Sequence, residues 1–153
     1  MRLIYTRNEA NDRTSKKLDE FVRTELAVAN LYIKALKTIE DTAYRSQLVT
    51  AMHCHQGRAA RVAGRVRQLG GRPSSASGTW LPFTGATPDQ MLPQAEVVAL
   101  LVEGEEQTSR KYDDLMSETD FEVQQLAGQL HGAQQSTCKG IHDLQKQLSE
   151  SAA

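Results

Sequence analysis

Proline is confined to one short stretch of this chain. Pro73, Pro82, Pro88 and Pro93 are the only four, so two long stretches on either side contain nothing that forbids a helix. Aromatic residues make up only 5%, while Leu, Ala, Gln, Glu and Arg are abundant, which argues against a β-rich protein and for an all-α one. Cysteine occurs twice, at Cys54 and Cys138, without CxxC spacing; this gives no disulfide framework and makes a reducing cytoplasm the expected setting. No run of about 18 apolar residues exists, so no membrane span is expected, and the opening MRLIYTRNEANDRT lacks the apolar core of a signal peptide. A net charge of −1 argues against a general nucleic-acid binder. Nothing resembles a phosphate loop or a hydrolase triad. With 153 residues the chain is long enough for one domain with a core of its own.

What is present is helical periodicity, in four segments. The first runs from about Thr14, read as an N-cap, to about Ile39, with residues 1–13 expected to be a flexible N-terminal segment. The second runs from Thr42 to Leu69 and stops at Gly70-Gly71, with Pro73 just beyond. A third begins near Thr87-Pro88-Asp89-Gln90, is kinked or restarted by Pro93 and continues to about Ser117. The fourth starts near Thr119 and ends near Ser149, so residues 14–149 are the expected bundle. Short joints make segments one and two, and three and four, antiparallel hairpins. Residues 71–87 join the second segment to the third. About 17 extended residues reach roughly 55 Å, enough to run the roughly 42 Å length of a bundle of such helices. Trp80, Leu81 and Phe83 are expected to pack along its outside. Two hairpins joined by one long crossover is the arrangement of ferritin-like bundles.

Charged residues interrupt the apolar stripes. At about 100° per residue, Leu18, Phe21, Val22, Val28, Ala29 and Tyr32 share one face, and Glu25 falls in its middle. Val97, Leu101, Thr108, Tyr112 and Leu115 form a similar face around Glu105, which leaves Glu106 outside. Each Glu is followed seven residues later by a Tyr, Tyr32 and Tyr112. In the second segment His55 lies near the centre of the stripe of Leu48, Met52, Ala59, Val62 and Val66. In the fourth, Gln134 is well inside the stripe and Cys138 at its edge. Glu25, His55, Glu105 and Cys138 all lie near the midpoints of their segments, so four helices send polar groups toward one layer. A buried carboxylate is costly unless something pairs with it.

Three further features carry a resemblance: Leu69-Gly70-Gly71-Arg72-Pro73, Gly104-Glu105 with Tyr112, and Ile141-His142-Asp143-Leu144. Over about residues 14–148 the chain resembles the ferritin-like superfamily, and within it a small bacterial group known only as a domain of unknown function. Ferritin-like carboxylate proteins place a Glu on two helices and a Glu-x-x-His pair on the other two. Here Met52 stands three residues before His55, and Gln135 and Cys138 occupy the second pair, so the resemblance implies a degenerate di-iron site. The interior polar cluster is read as Glu25, Tyr32, His55, Glu105 and Tyr112. Without a cation the two carboxylates should share a proton, at least one carboxyl pKa should rise, and Glu25→Gln should cost little stability.

The functional expectation is a cytosolic structural or binding protein with no cofactor, linked to stress through the resemblance. One alternative is a metal-binding oxidative-stress protein or metalloenzyme that holds a single zinc, iron or manganese with Glu25, His55, Glu105 and Cys138. A second is a DNA-associated ferritin-like protein. Arg58, Arg61 and Arg65 are read as an exposed basic face opposite the second stripe, facing solvent or the acidic third helix of another subunit. A homo-oligomer, first of all a dimer, is therefore expected.

Overall fold

The computed structural model describes residues 2–75 and 92–152, with side chains from 9 to 151. Four helices, α1 (Arg2–Ala35), α2 (Thr42–Gln68), α3 (Gln94–Met116) and α4 (Phe121–Ala152), make an all-α fold with no strand among the described residues. No helix is long and apolar enough to cross a membrane. Trp80, Leu81, Phe83 and the Thr87–Gln90 start signal lie outside the described residues, as does most of the 71–87 connection.

α1 begins at Arg2 instead of Thr14, so the separate segment 1–13 is helical from its second residue on. Neither Gly nor Pro occurs there to stop a helix, and Thr14 is not a cap. Its hydroxyl instead donates to Asp120 Oδ2 at 2.5 Å, across the bundle. Asp120 in turn caps α4, its Oδ1 accepting from the backbone N–H of Glu122 at 3.1 Å. At the other joint Asp41 accepts from Tyr44 N–H at 3.1 Å and starts α2. Arg45 Nη1 donates to the carbonyls of Leu36 and Ile39, oxygens that the end of α1 leaves free. Pro93 stands at the N-cap position of α3, so the helix starts immediately after it.

The Gly-Gly after α2 has a specific use. Gly70 sits at φ +86°, its N–H bonds to Arg67 O at 3.0 Å, and the Gly71 N–H bonds to Val66 O at 2.9 Å. This is the left-handed Schellman ending that a side chain disfavours. A Cβ on Gly71 would collide with Ser15 Oγ of α1, so the second glycine permits close approach.

The core lies in two apolar halves. One gathers Leu18, Phe21, Val62, Val66, Leu115 and Val123; the other gathers Val28, Ile39, Leu48, Leu101, Ile141 and Leu144. Tyr112 belongs to the first half and Tyr32 to the second. Between the halves all four helices contribute buried polar groups. α1 packs most extensively on α2 and α3 on α4, while α2 and α4 meet along a narrower seam.

Gly70→Ala is expected to lower the unfolding free energy by about 1 kcal/mol, the cost of a Cβ in the left-handed region. Urea denaturation measures it, and an unchanged midpoint would show that the turn relaxes to another ending.

Candidate functional site

The apolar stripes aim four carboxylate, imidazole and guanidinium groups at the level between the two core halves. Glu25 on α1, His55 on α2 and Glu105 on α3 are all 0% exposed, so all three side chains lie inside the bundle. The His55 ring stands between the carboxylates. Nδ1 is 2.6 Å from Glu25 Oε2, and Nε2 is 2.5 Å from Glu105 Oε1. Ionised carboxylates only accept, so with both Glu side chains ionised each of these short contacts takes a proton from the ring, and the imidazole is then the cation.

Arg58 is one helical turn beyond His55 and completes the layer. Its Nε donates to Glu25 Oε1 at 3.1 Å, and Nη2 donates to Gln134 Oε1 at 2.9 Å and to Thr137 Oγ1 at 3.2 Å. Nη2 also lies 2.8 Å from His55 Nδ1 and 3.4 Å from Nε2. A group on the Nδ1 lone-pair axis would stand much farther from Nε2 than that. Nη2 therefore sits over the ring face, and Nδ1 remains directed at Glu25. Two carboxylates, one guanidinium and one imidazolium make the layer neutral. Among the described residues, Arg58 Nη1 is the one buried side-chain nitrogen or oxygen without a partner.

The tyrosines brace the layer from both core halves, and they do so crosswise. Tyr32 OH on α1 donates to Glu105 Oε1 on α3 at 2.9 Å, and Tyr112 OH on α3 donates to Glu25 Oε1 on α1 at 2.6 Å. From α4, Gln134 Nε2 donates to Glu105 Oε2 at 3.0 Å and to the Glu105 carbonyl at 3.2 Å. Thr137 Oγ1 lies 3.2 Å from Glu105 Oε2. Phe21 meets the Tyr112 ring edge-on, and Tyr32 stacks on His55, so packing fixes the orientation of these rings.

The proton balance differs from the expectation of a shared carboxyl proton. Burial alone would raise the Glu25 carboxyl, but the His55 charge and hydrogen bond, Arg58 and the Tyr112 hydroxyl together hold it below its ordinary value. For His55, burial opposes the charged ring, and the two flanking carboxylates outweigh it and raise its pKa. Burial and the adjacent carboxylate push both Tyr32 and Tyr112 upward, so both remain phenols. The cation thought to be missing from the layer is present.

That cation is Arg58, which sequence reasoning grouped with Arg61 and Arg65 on an exposed basic face. Arg58 is only 5% exposed; Arg65 pairs with Glu122, and Arg61 Nη2 donates to Gln129 Oε1 at 2.6 Å. Two signals were available: the position one turn beyond His55 on the edge of the stripe, and the electrostatic need for a second cation opposite two carboxylates. A long side chain turns back from the edge of a helix into the interior. Cys138, expected in the layer, stands at its margin, half-buried and bonded to Ser109, and burial raises its thiol pKa. No group of three or more His, Cys, Asp or Glu side chains among the described residues is arranged to hold a metal ion. The reason is geometric: the carboxylates lie at opposite nitrogens of one ring and do not converge on a common point. Met52, partly buried against the apolar core, and exposed Gln135 occupy the positions where a second carboxylate and its mate would be needed.

No family model, curated protein or solved structure matches the chain.

Two outcomes follow from the charge balance. The stability His55 contributes is fully present below its unfolded value of 6.5 and is lost as pH rises through the raised folded value. The contribution of Glu25 is present above its unfolded value of 4.5 and is lost as pH falls through the lowered folded value. Urea denaturation should therefore show a plateau between 4.5 and 6.5 with a decline on each side. His55→Gln should remove the alkaline limb; a wild-type profile flat above 6.5 would mean a neutral ring. Glu25→Gln keeps the shape but leaves two buried cations with one carboxylate. It is expected to cost about 3–5 kcal/mol, and a loss below 1 kcal/mol would restore the shared-proton picture.

Proposed function

We propose that the chain is a ferritin-like four-helix bundle whose interior layer is neutralised by its own Arg58 and His55, and that it serves as a structural or binding protein and not as a metalloenzyme. The helix register supports the topology. Ser15 meets Gly71, Glu25 meets His55, and Leu36 meets Arg45, so α1 and α2 run as an antiparallel hairpin. Glu105 meets Thr137 and Ser109 meets Gln134, which gives α3 and α4 the same relation. Tyr32 with Glu105 and Tyr112 with Glu25 set α3 antiparallel to α1, hence parallel to α2. Parallel neighbours in sequence need a connection as long as the bundle, which is the ferritin-like crossover.

The observation that carries the functional reading is the guanidinium in the layer. A ferritin-like site would place divalent ions between the carboxylates. Here that space holds Arg58 and the ring of His55, and both ring nitrogens face carboxylates. The residues present do not fit a di-iron centre. A single zinc, iron or manganese would require the ring to turn, Arg58 to leave, and Cys138 to come in from the margin. Removal of Arg58 would leave Glu25 without its second cation, so metal entry and the native layer compete.

The DNA-associated alternative rested on the basic face of α2. Arg58 is inside and Arg65 pairs with Glu122, so of those three arginines only Arg61, bonded to the neutral Gln129, keeps an unbalanced charge for phosphates.

Metal analysis of protein purified without chelator should find zinc, iron and manganese well below one per chain, and added metal or EDTA should leave the thermal midpoint unmoved. Stoichiometric metal that disappears in Glu25→Gln would overturn the reading in favour of a mononuclear site.

A further inference from the structure

The seam between α2 and α4 is divided in two by the reach of Arg58 to Gln134 and Thr137. On the side toward the start of α2 the helices stand apart around a cleft of about 510 Å³. Its walls are mainly apolar, Leu48, Ala51 and Ile141 among them, with Gln47 and small hydroxyl side chains as neutral polar groups, and no charged side chain among the described residues lines it. Two of its lining residues, Tyr32 and Thr137, also belong to the charged layer.

We propose that this cleft binds a neutral, mainly apolar alcohol or phenol, with its hydroxyl toward Thr137. The volume falls within the roughly 300–1,000 Å³ of small-molecule sites. The absence of charge on the walls, beside a layer that is neutral overall, disfavours an ionic ligand of either sign. The Tyr32 proton is committed to Glu105, and the single Thr137 proton has protein acceptors in Glu105 and the Gln134 carbonyl at 3.2 and 3.1 Å. Tyr32 is 0% exposed, so the oxygen within reach is Thr137 Oγ1, which also accepts from Arg58 Nη2; it offers a ligand its remaining lone pair, so the ligand must bring the donor. A fatty alcohol satisfies this; the carboxylate of the same chain length does not.

A second copy of the chain is the weaker occupant. The exposed lining of the cleft is far short of the roughly 800 Å² per partner that a stable interface buries. The described start of the α2–α3 connection leaves over α1, where Ser74 N and Oγ bond Asp19 at 2.6 and 2.7 Å. The proposal stands apart from the reading of the layer: an empty cleft would leave the charge balance intact, and a metal in the layer would not fill the cleft.

The test uses the full chain and Nile red, a neutral dye whose fluorescence reports apolar surroundings. Saturable binding at one site per chain is expected, with displacement by 1-decanol but not by decanoate at neutral pH. Bound decanol should also slow alkylation of Cys54, an exposed thiol that lines the cleft. Gly140→Leu fills the space, because a Cβ at Gly140 meets nothing within 4 Å, and the fold should tolerate it. It should weaken dye and decanol binding by about tenfold or more, the loss of about 1.4 kcal/mol of contact, with the thermal midpoint held or raised. Absence of saturable binding, equal displacement by decanoate, or unchanged binding in the Gly140→Leu variant would each overturn the proposal. A variant that alters the oligomeric mass while dye binding stays the same would do so in favour of a protein interface.

Discussion

The fold depends on the neutralisation of two carboxylates that no water reaches. Glu25 and Glu105 are 0% exposed, and a buried ion costs several kcal/mol even after the protein relaxes around it. Their compensation is distributed: His55 and Arg58 come from α2, the tyrosine hydroxyls from α1 and α3, and Gln134 and Thr137 from α4. No helix is self-sufficient in this layer. Apolar contacts in the two core halves are non-directional, but a shift of one residue, about 1.5 Å along a helix, lengthens and misaligns all of these bonds together. The layer therefore sets the axial register of the bundle, and the core halves supply most of the burial on either side of it.

The repeated Glu-and-Tyr spacing acquires its meaning only from chain direction. Seven residues are two helical turns, about 10.5 Å. If α1 and α3 ran parallel, each Tyr would stand two turns from both carboxylates. Because they run in opposite directions, Tyr32 reaches Glu105 while Tyr112 reaches Glu25, each at 2.9 Å or less. One motif used twice thus makes a two-fold brace. The symmetry stops at the other helix pair: α2 supplies both cations, and α4 supplies neutral Gln134 and Thr137.

How much of this was legible in the sequence varies by element. The four helices, the Gly70-Gly71 ending and the inward Glu25, His55, Glu105, Tyr32 and Tyr112 follow from periodicity, because an interior position is set by angle on a helix and needs no knowledge of neighbours. The start of α1 was misplaced because Thr14 has the chemistry of a cap, and only the tertiary structure shows its hydroxyl spent on Asp120. Arg58 was misplaced for a related reason. Angle fixes where a Cα lies, whereas a side chain with several rotatable bonds goes where charge draws it. Periodicity locates short side chains well and long ones poorly. Electroneutrality was the missing constraint: two buried carboxylates and one imidazole leave a negative charge over, and α2 carried the nearest candidate.

The position of Arg58 also accounts for the shape of the α2–α4 seam. A guanidinium that must reach Gln134 and Thr137 keeps the two helices at the separation its side chain spans. Toward the start of α2, Ala51 and Gly140 are too small to fill the gap this leaves, so a cleft remains there. Toward the end of α2 the seam opens again, around about 550 Å³ lined by Gly64 and Leu126 among others, and there longer groups bridge it, Arg61 to Gln129 at 2.6 Å and Arg65 to Glu122. The same side chain that balances the buried carboxylates thus holds open the wall beside them. Charge balance inside the bundle and the spacing of the α2–α4 seam both involve this one residue, and changing Arg58 alters both together.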